Sequence, residues 1–246
     1  MQHKLLVNFS LKAICLILCA VCFFSFKKEK NKLLIFSKTN GYHHQSIAAG
    51  IAAIKKLGEE NNFLVDDTVD SLAINDANLK QYKAVLFLST TGTVLGKDQE
   101  TALQNFIHHG GGFMGIHAAT DCEYQWPWYN KMIGAWFTSH PKQQTAKLMV
   151  VDKNNIATSM LPDVWERKDE WYNFKDLSPD VHVLIKIDET SYEGGKNGDN
   201  HPMAWYQKFE GGKVFYTELG HTDESYTEPL YLQHILGGIK YVMGIK

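Results

Sequence analysis

From Lys32 to Ile116 the apolar residues of this chain fall into short runs, separated by stretches with helical periodicity. Lys32 to Ser37 (KLLIFS), Phe63 to Asp66, Ala84 to Leu88 and Phe113 to Ile116 read as strands. After the first of them Ile47, Ile51, Ile54 and Leu57 recur at a helical spacing. This predicts a helix that starts near Gln45 or Ser46 and is ended by Gly58 and Asn61-Asn62. Asp76 to Tyr82 reads as a short helix. Asp98 to His109 reads as a longer one, with Leu103, Phe106 and Ile107 inward and the triplet Gly110-Gly111-Gly112 closing it. Four strands alternating with helices predict a mostly parallel sheet with right-handed crossovers.

Beyond Asp121 the texture changes. Trp126-Pro127-Trp128-Tyr129 opens a short helix to Ile133, and Trp136 to Pro141 reads as a loop. Thr145 to Val151 and Val181 to Ile187 read as strands, whereas Val164 to Phe174 is simply charged and aromatic. Glu193 to Asn200, with three glycines, reads as a flexible connection. Met203 to Phe209 and Val214 to Thr217 read as paired strands around Glu210-Gly211-Gly212. A helix from Leu230 to Val242, with Ile235 and Ile239 inward, closes the chain. The fold class is therefore α/β, with a mostly parallel sheet flanked by helices and extra antiparallel strands in the C-terminal half.

The most informative stretch is Gly110 to Asp121. His117 stands where the strand Phe113–Ile116 turns sharply, with the small residues Gly115 and Ala119 two positions to either side, as a tight strand-to-helix elbow requires. Such an elbow exposes its central side chain at the C-terminal strand ends, where open α/β sheets bind ligands. A histidine there moves protons or binds a metal; it is not an acyl nucleophile.

Composition narrows this further. The 246 residues carry a net charge of -2, which gives no reason to expect nucleic acid as a partner. Arg167 is the single arginine, so a phosphate-clamping arginine cluster is excluded. Lys4 and Lys12 precede an uncharged, mostly apolar run from Ala13 to Phe26, followed by Lys27-Lys28-Glu29-Lys30. That is the pattern of a secretory leader. Residues 1–30 therefore read as a signal peptide or N-terminal membrane anchor, and 31–246 as a single domain. Any membrane contact is expected through the N-terminal segment alone. Cys15, Cys19 and Cys22 lie in the leader, which leaves Cys122 as the only thiol of the domain and no internal disulfide. Export without disulfides fits a bacterial cell envelope, in the periplasm.

Four pieces carry a resemblance. They are Thr39-Asn40-Gly41-Tyr42-His43-His44-Gln45-Ser46-Ile47, Gly111-Gly112-Phe113-Met114-Gly115-Ile116-His117-Ala118-Ala119-Thr120, His201-Pro202-Met203-Ala204-Trp205, and the segment from Gly211 to Thr222 (GGKVFYTELGHT). Spread over nearly the whole chain after residue 31, together they resemble the ThuA-like (trehalose-utilisation) family. The resemblance implies a flavodoxin-like, class I glutamine-amidotransferase-like fold. In that superfamily the elbow usually carries a catalytic cysteine, and His117 in its place argues against glutaminase chemistry. It also implies a role in bacterial sugar use, notably on oxidised (3-keto) disaccharides such as oxidised trehalose, with a small carbohydrate as partner.

The candidate site follows from these positions. His117 and His221, each at a predicted strand end, are the acid–base candidates, and Glu218 and Asp223 are placed to orient His221. Asp121, after the elbow, and Glu170, beside Trp171 and Tyr172, are the carboxylate candidates, because a carboxyl flanked by aromatics has a raised pKa. His43 and His44 follow the first strand, and one of the two is expected to reach the site. His44, His117 and His221 together would suit a divalent metal. Tyr42, His43, Trp126, Trp171 and Trp205 are candidates to bind substrate, the tryptophans as flat faces for sugar rings. His140 is a weaker candidate, and His108-His109 reads as a helix C-terminus. Two function classes remain: an enzyme acting on a 3-keto-glycoside through its histidines, and a non-catalytic carbohydrate-binding protein on the same fold. A third, an amidotransferase relative using Cys122, is disfavoured because that thiol lies outside the elbow.

Overall fold

A computed structural model describes residues 31–245 of the chain. The predicted leader lies outside the described residues. Among those described, no helix is long and apolar enough to cross a membrane.

Eleven strands and five α-helices follow one another from Lys32 to Met243. In chain order they are β1 (Lys32–Phe36), α1 (Ile47–Glu60), β2 (Leu64–Thr68), α2 (Asp76–Leu79), β3 (Ala84–Leu88), α3 (Lys97–His108), β4 (Gly112–Ile116) and α4 (Pro127–Ile133). The second half continues with β5 (Trp136–Ser139), β6 (Gln144–Val150), β7 (Val164–Asp169), β8 (Asn173–Lys175), β9 (His182–Ile187), β10 (Pro202–Phe209), β11 (Gly212–Thr217) and α5 (Pro229–Met243). Nine strands form one sheet in the order β2-β1-β3-β4-β11-β10-β9-β6-β7, and β5 pairs with β8 separately. From β2 to β11 every pairing is parallel. From β11 to β7 every pairing is antiparallel. The α/β class with a parallel core and added antiparallel strands is thus the observed one.

Local sequence explains the central elements. β3 and β4 are buried at every position, because helices cover both faces of a parallel sheet and leave no room for polar alternation. α4 and α5 each start on a proline and end on a left-handed glycine, Gly134 and Gly244.

Several expectations are corrected. Gly58 does not end the first helix but lies inside it. A Cβ there would stand 2.8 Å from Val65 Cγ2 and 2.9 Å from the Phe63 carbonyl, so glycine lets the helix lie close on β2. Trp136 to Pro141 is not all loop, since Trp136–Ser139 pairs with β8. Val164 to Phe174 contains two strands. The Glu193–Asn200 segment is pinned rather than loose: Glu189 Oε1 accepts the amides of Asn197 and Gly198, and Asn173 Oδ1 that of Lys196.

Candidate functional site

The C-terminal ends of β1, β4 and β11 open on the same rim of the sheet, and each feeds a loop carrying a histidine. At the elbow His117 has φ of 51°, a left-handed conformation that costs a non-glycine residue about 1–2 kcal/mol. A Cβ on Gly115 would lie 2.9–3.1 Å from Ile133, Tyr216 and Ala119, so the small residue that the elbow pattern demands is a packing requirement. A four-residue 3-10 turn, His117–Thr120, starts at the elbow in place of the α-helix that usually follows, and it buries His117 fully where an exposed side chain was expected. The backbone carbonyl of His117 is held by the Tyr216 hydroxyl at 2.8 Å.

Glu170 reaches this rim from β7. In a flat sheet, four strand spacings between β11 and β7 would set them about 19 Å apart. Asp169 nevertheless accepts the amides of Gly220 at 3.0 Å and His221 at 3.2 Å, so the antiparallel half curls back over the rim. Asp169 in turn pairs with Arg167, the lone arginine, whose guanidinium lies over the rings of Trp165 and Tyr231.

These loops bring four side chains together. One nitrogen from each of His44, His117 and His221 and one Glu170 oxygen all lie within 4.8 Å of one another. His117 Nε2 is 3.0 Å from His221 Nδ1, and Glu170 Oε2 is 3.1 Å from His221 Nδ1 and 3.6 Å from His117 Nε2. Nδ1 of His117 donates to the Glu218 carbonyl at 2.7 Å, which fixes the tautomer and leaves the Nε2 lone pair facing the cluster. His44 is buried, edge-on to the His117 and His221 rings, and its Nδ1 has no hydrogen-bond partner among the described residues. Glu170 Oε1 also meets His140 Nδ1 at 3.0 Å.

Electrostatics separates the imidazoles. Burial, reinforced by the neighbouring His117 and His221, pulls His44 down to about 2, so it stays neutral. Burial alone would lower His221, but its hydrogen bond to Glu170 and that carboxylate's charge outweigh it and raise the pKa. Burial would raise Glu170, yet the adjoining His117 and His221 imidazoles hold the carboxyl below the usual range, opposite to the shift expected from its aromatic neighbours. Glu218 is fully buried, and burial beside Asp169 pushes its carboxyl well up.

The other candidates fall outside the cluster. His43 is exposed and bonds the Thr39 hydroxyl, while its neighbour His44 points inward. Trp171 and Trp205 are fully buried, their indole N–H groups donating to the Gln144 and Ile133 carbonyls, and Trp126 is packed against Trp128. None of these three offers an open face, which corrects their reading as sugar platforms. Tyr42 is 66% exposed, edge-on to His44. It lines a cleft of about 320 Å³ with Gln45, Gln143, His221, Asp223 and Glu224. Asp121 accepts the Tyr124 hydroxyl and takes no part in the cluster. Asp223 bonds Gln45 rather than orienting His221, a task that falls to Asp169 and Glu170. His201 is structural, set between the Tyr172 carbonyl and Glu189. Cys122 is buried and free, and burial pushes its thiol well up, so it cannot supply a thiolate.

A parallel sheet in the order β2-β1-β3-β4-β11, covered by helices and carrying a left-handed elbow at its C-terminal rim, defines a flavodoxin-like α/β protein. The sequence profile of ThuA, described as trehalose utilisation, matches residues 32–242, and the chain belongs to that family. It is similar to a ThuA-like protein from Bacteroides uniformis (22% identity, TM-score 0.73), over 86% of this chain and 91% of that one. A ThuA-like protein from Parabacteroides merdae is 17% identical with a TM-score of 0.71, over 88% and 91% of the two chains. A cytoplasmic protein from Salmonella typhimurium follows at 11% and 0.63, over 86% and 99%. At these identities the likeness establishes the fold. No curated protein matches the chain in sequence. Family membership gives the chain a carbohydrate-related role.

Proposed function

We propose that the chain is an enzyme acting on a 3-keto-glycoside, a disaccharide such as oxidised trehalose, through histidine acid–base chemistry. One observation carries this reading: three imidazoles and a carboxylate from four separate loops converge at the ligand-binding rim beside a polar cleft. A ketone acidifies the neighbouring C–H, so the chemistry needs a base at that carbon and a proton donor at the carbonyl oxygen. His117 Nε2, which carries the lone pair in the tautomer whose Nδ1–H bonds the Glu218 carbonyl, serves as the base. His221, its pKa raised by the adjoining Glu170, donates to the ketone oxygen. The C–H electron pair becomes the enol double bond; on collapse the enol proton returns to His221 and the ketone reforms. Either the C–O bond to the glycosidic oxygen then breaks, that oxygen leaving with the proton held by His117, or the carbon takes a proton back to give an isomer. Gln45, Gln143 and Asp223 supply hydrogen bonds for sugar hydroxyls, and Tyr42 the exposed ring face. At about 320 Å³ the cleft falls in the range of small-ligand sites.

Turnover of 3-keto-disaccharides against their unoxidised parents tests this. Consumption of the keto forms alone, abolished in His117→Ala with binding kept, supports the enzyme. Binding without turnover in the parent protein supports the non-catalytic carbohydrate-binding alternative. From the basic–apolar–basic pattern of residues 4–30 we also propose a bacterial periplasmic, exported or anchored location, which cell fractionation checks.

A further inference from the structure

We propose that His44, His117, His221 and Glu170 form the resident site of one divalent transition ion of the zinc-to-manganese class. The proposal concerns the same side chains as the keto-sugar reading but does not require that substrate: with an ion bound, the His117 and His221 nitrogens would give it their lone pairs, so the acid–base roles above belong to the metal-free site.

The donor separations carry it. Metal bonds of about 2.0–2.2 Å in a tetrahedral shell place neighbouring ligand atoms about 3.3–3.6 Å apart. The three edges among His117, His221 and Glu170 measure 3.0, 3.1 and 3.6 Å. The set as a whole lies within 4.8 Å, wider than a tetrahedral edge, so binding draws it inward by about an ångström at its widest. His44 supplies the independent observation: its Nδ1 is buried with no hydrogen-bond partner among the described residues, in a ring that packs edge-on against two other imidazoles. Few arrangements of neutral protein groups satisfy three imidazoles so placed, whereas one cation takes a lone pair from each.

The surroundings have the form of a metal site's support. His117 donates its remote nitrogen to a backbone carbonyl, and Glu170 is held from behind by His140. Asp169 fixes the backbone of both the Glu170 and His221 segments. Three nitrogen donors and one carboxylate select a transition ion over magnesium or calcium, which prefer all-oxygen shells. Four protein ligands with one carboxylate leave a net positive ion, which would polarise a carbonyl or water reaching it from the cleft that His221 lines.

Elemental analysis of the full chain, dialysed against Zn²⁺, Mn²⁺ or Co²⁺ alone and then buffer, tests the proposal. About one ion per chain is expected for the parent and for His108→Ala, an exposed histidine paired with Glu210. His44→Ala and His221→Ala should each bind at least about tenfold more weakly. Equal metal content in parent and variants, or retention of none of the three ions, overturns it. Should the variants melt non-cooperatively, the parent decides: a visible Co²⁺ spectrum bleached by chelator upholds the site, and its absence overturns it. A chain that loads an ion but leaves keto-sugars untouched upholds this inference and sinks the previous one.

Discussion

Asp169→Asn is the sharpest test of how the two halves of the site are joined. Asp169 is fully buried, with Glu170 N and His221 N on Oδ1 and Gly220 N and Arg167 Nη2 on Oδ2. An asparagine offers one oxygen, so its amide group must face two donors that have lost their acceptor. Breaking a buried ion pair costs about 3–5 kcal/mol, and an unsatisfied buried amide adds about 1–3 kcal/mol. Glu228, 3.4 Å from the same guanidinium, takes over part of the pairing. A net loss of about 4 kcal/mol lowers the melting temperature by about 8–16 °C for a domain of this size. Calorimetry measures it, and a double-mutant cycle with Arg167→Met should show a coupling of at least about 1.5 kcal/mol. A fall of less than about 3 °C, or additive effects, would refute the idea that this pair holds β7 to the His221 loop.

Other outcomes follow from single residues. Burial pulls His234 down to about 4 from 6.5; the folded state therefore resists a proton that the unfolded chain accepts. Stability present above pH 6.5 should fall by about 3 kcal/mol as pH drops toward 4, and His234→Gln should flatten that part of the urea-midpoint profile. Burial pushes the Glu218 carboxyl well up and so favours its neutral form, and Glu218→Gln should cost less than about 1 kcal/mol, against about 2–4 kcal/mol for Glu218→Ala, both read by urea denaturation. Gly220 has φ of 113°, and a Cβ there would collide with the Tyr231 and Tyr226 hydroxyls. Gly220→Ala should destabilise by about 2–4 kcal/mol in thermal melts and weaken whatever His221 binds.

The parallel half of the fold was legible because its strands are uninterrupted apolar runs such as AVLFL and its helices keep one stripe. β7 was not, for a physical reason. It alternates perfectly in burial, but the inward positions are Trp165, Arg167 and Asp169, so hydrophobicity hides the period. Strand ends in that half located His117, His44 and His221. The curl that delivers Glu170 is a tertiary property and left no local signal, and so did the burial of Trp171 and Trp205, whose aromatic faces serve packing. Choosing between His43 and His44 needed the helix start, because adjacent side chains there diverge.

Proton exchange at the carbon beside the ketone reaches the central claim most directly. With a 3-keto-disaccharide in deuterated buffer, NMR should show deuterium entering that position at an enzyme-dependent rate, before or alongside loss of substrate. The rate should fall at least about a hundredfold in His117→Ala, in line with the usual contribution of a general base. Exchange no faster than in buffer, or unchanged by His117→Ala, would contradict the account.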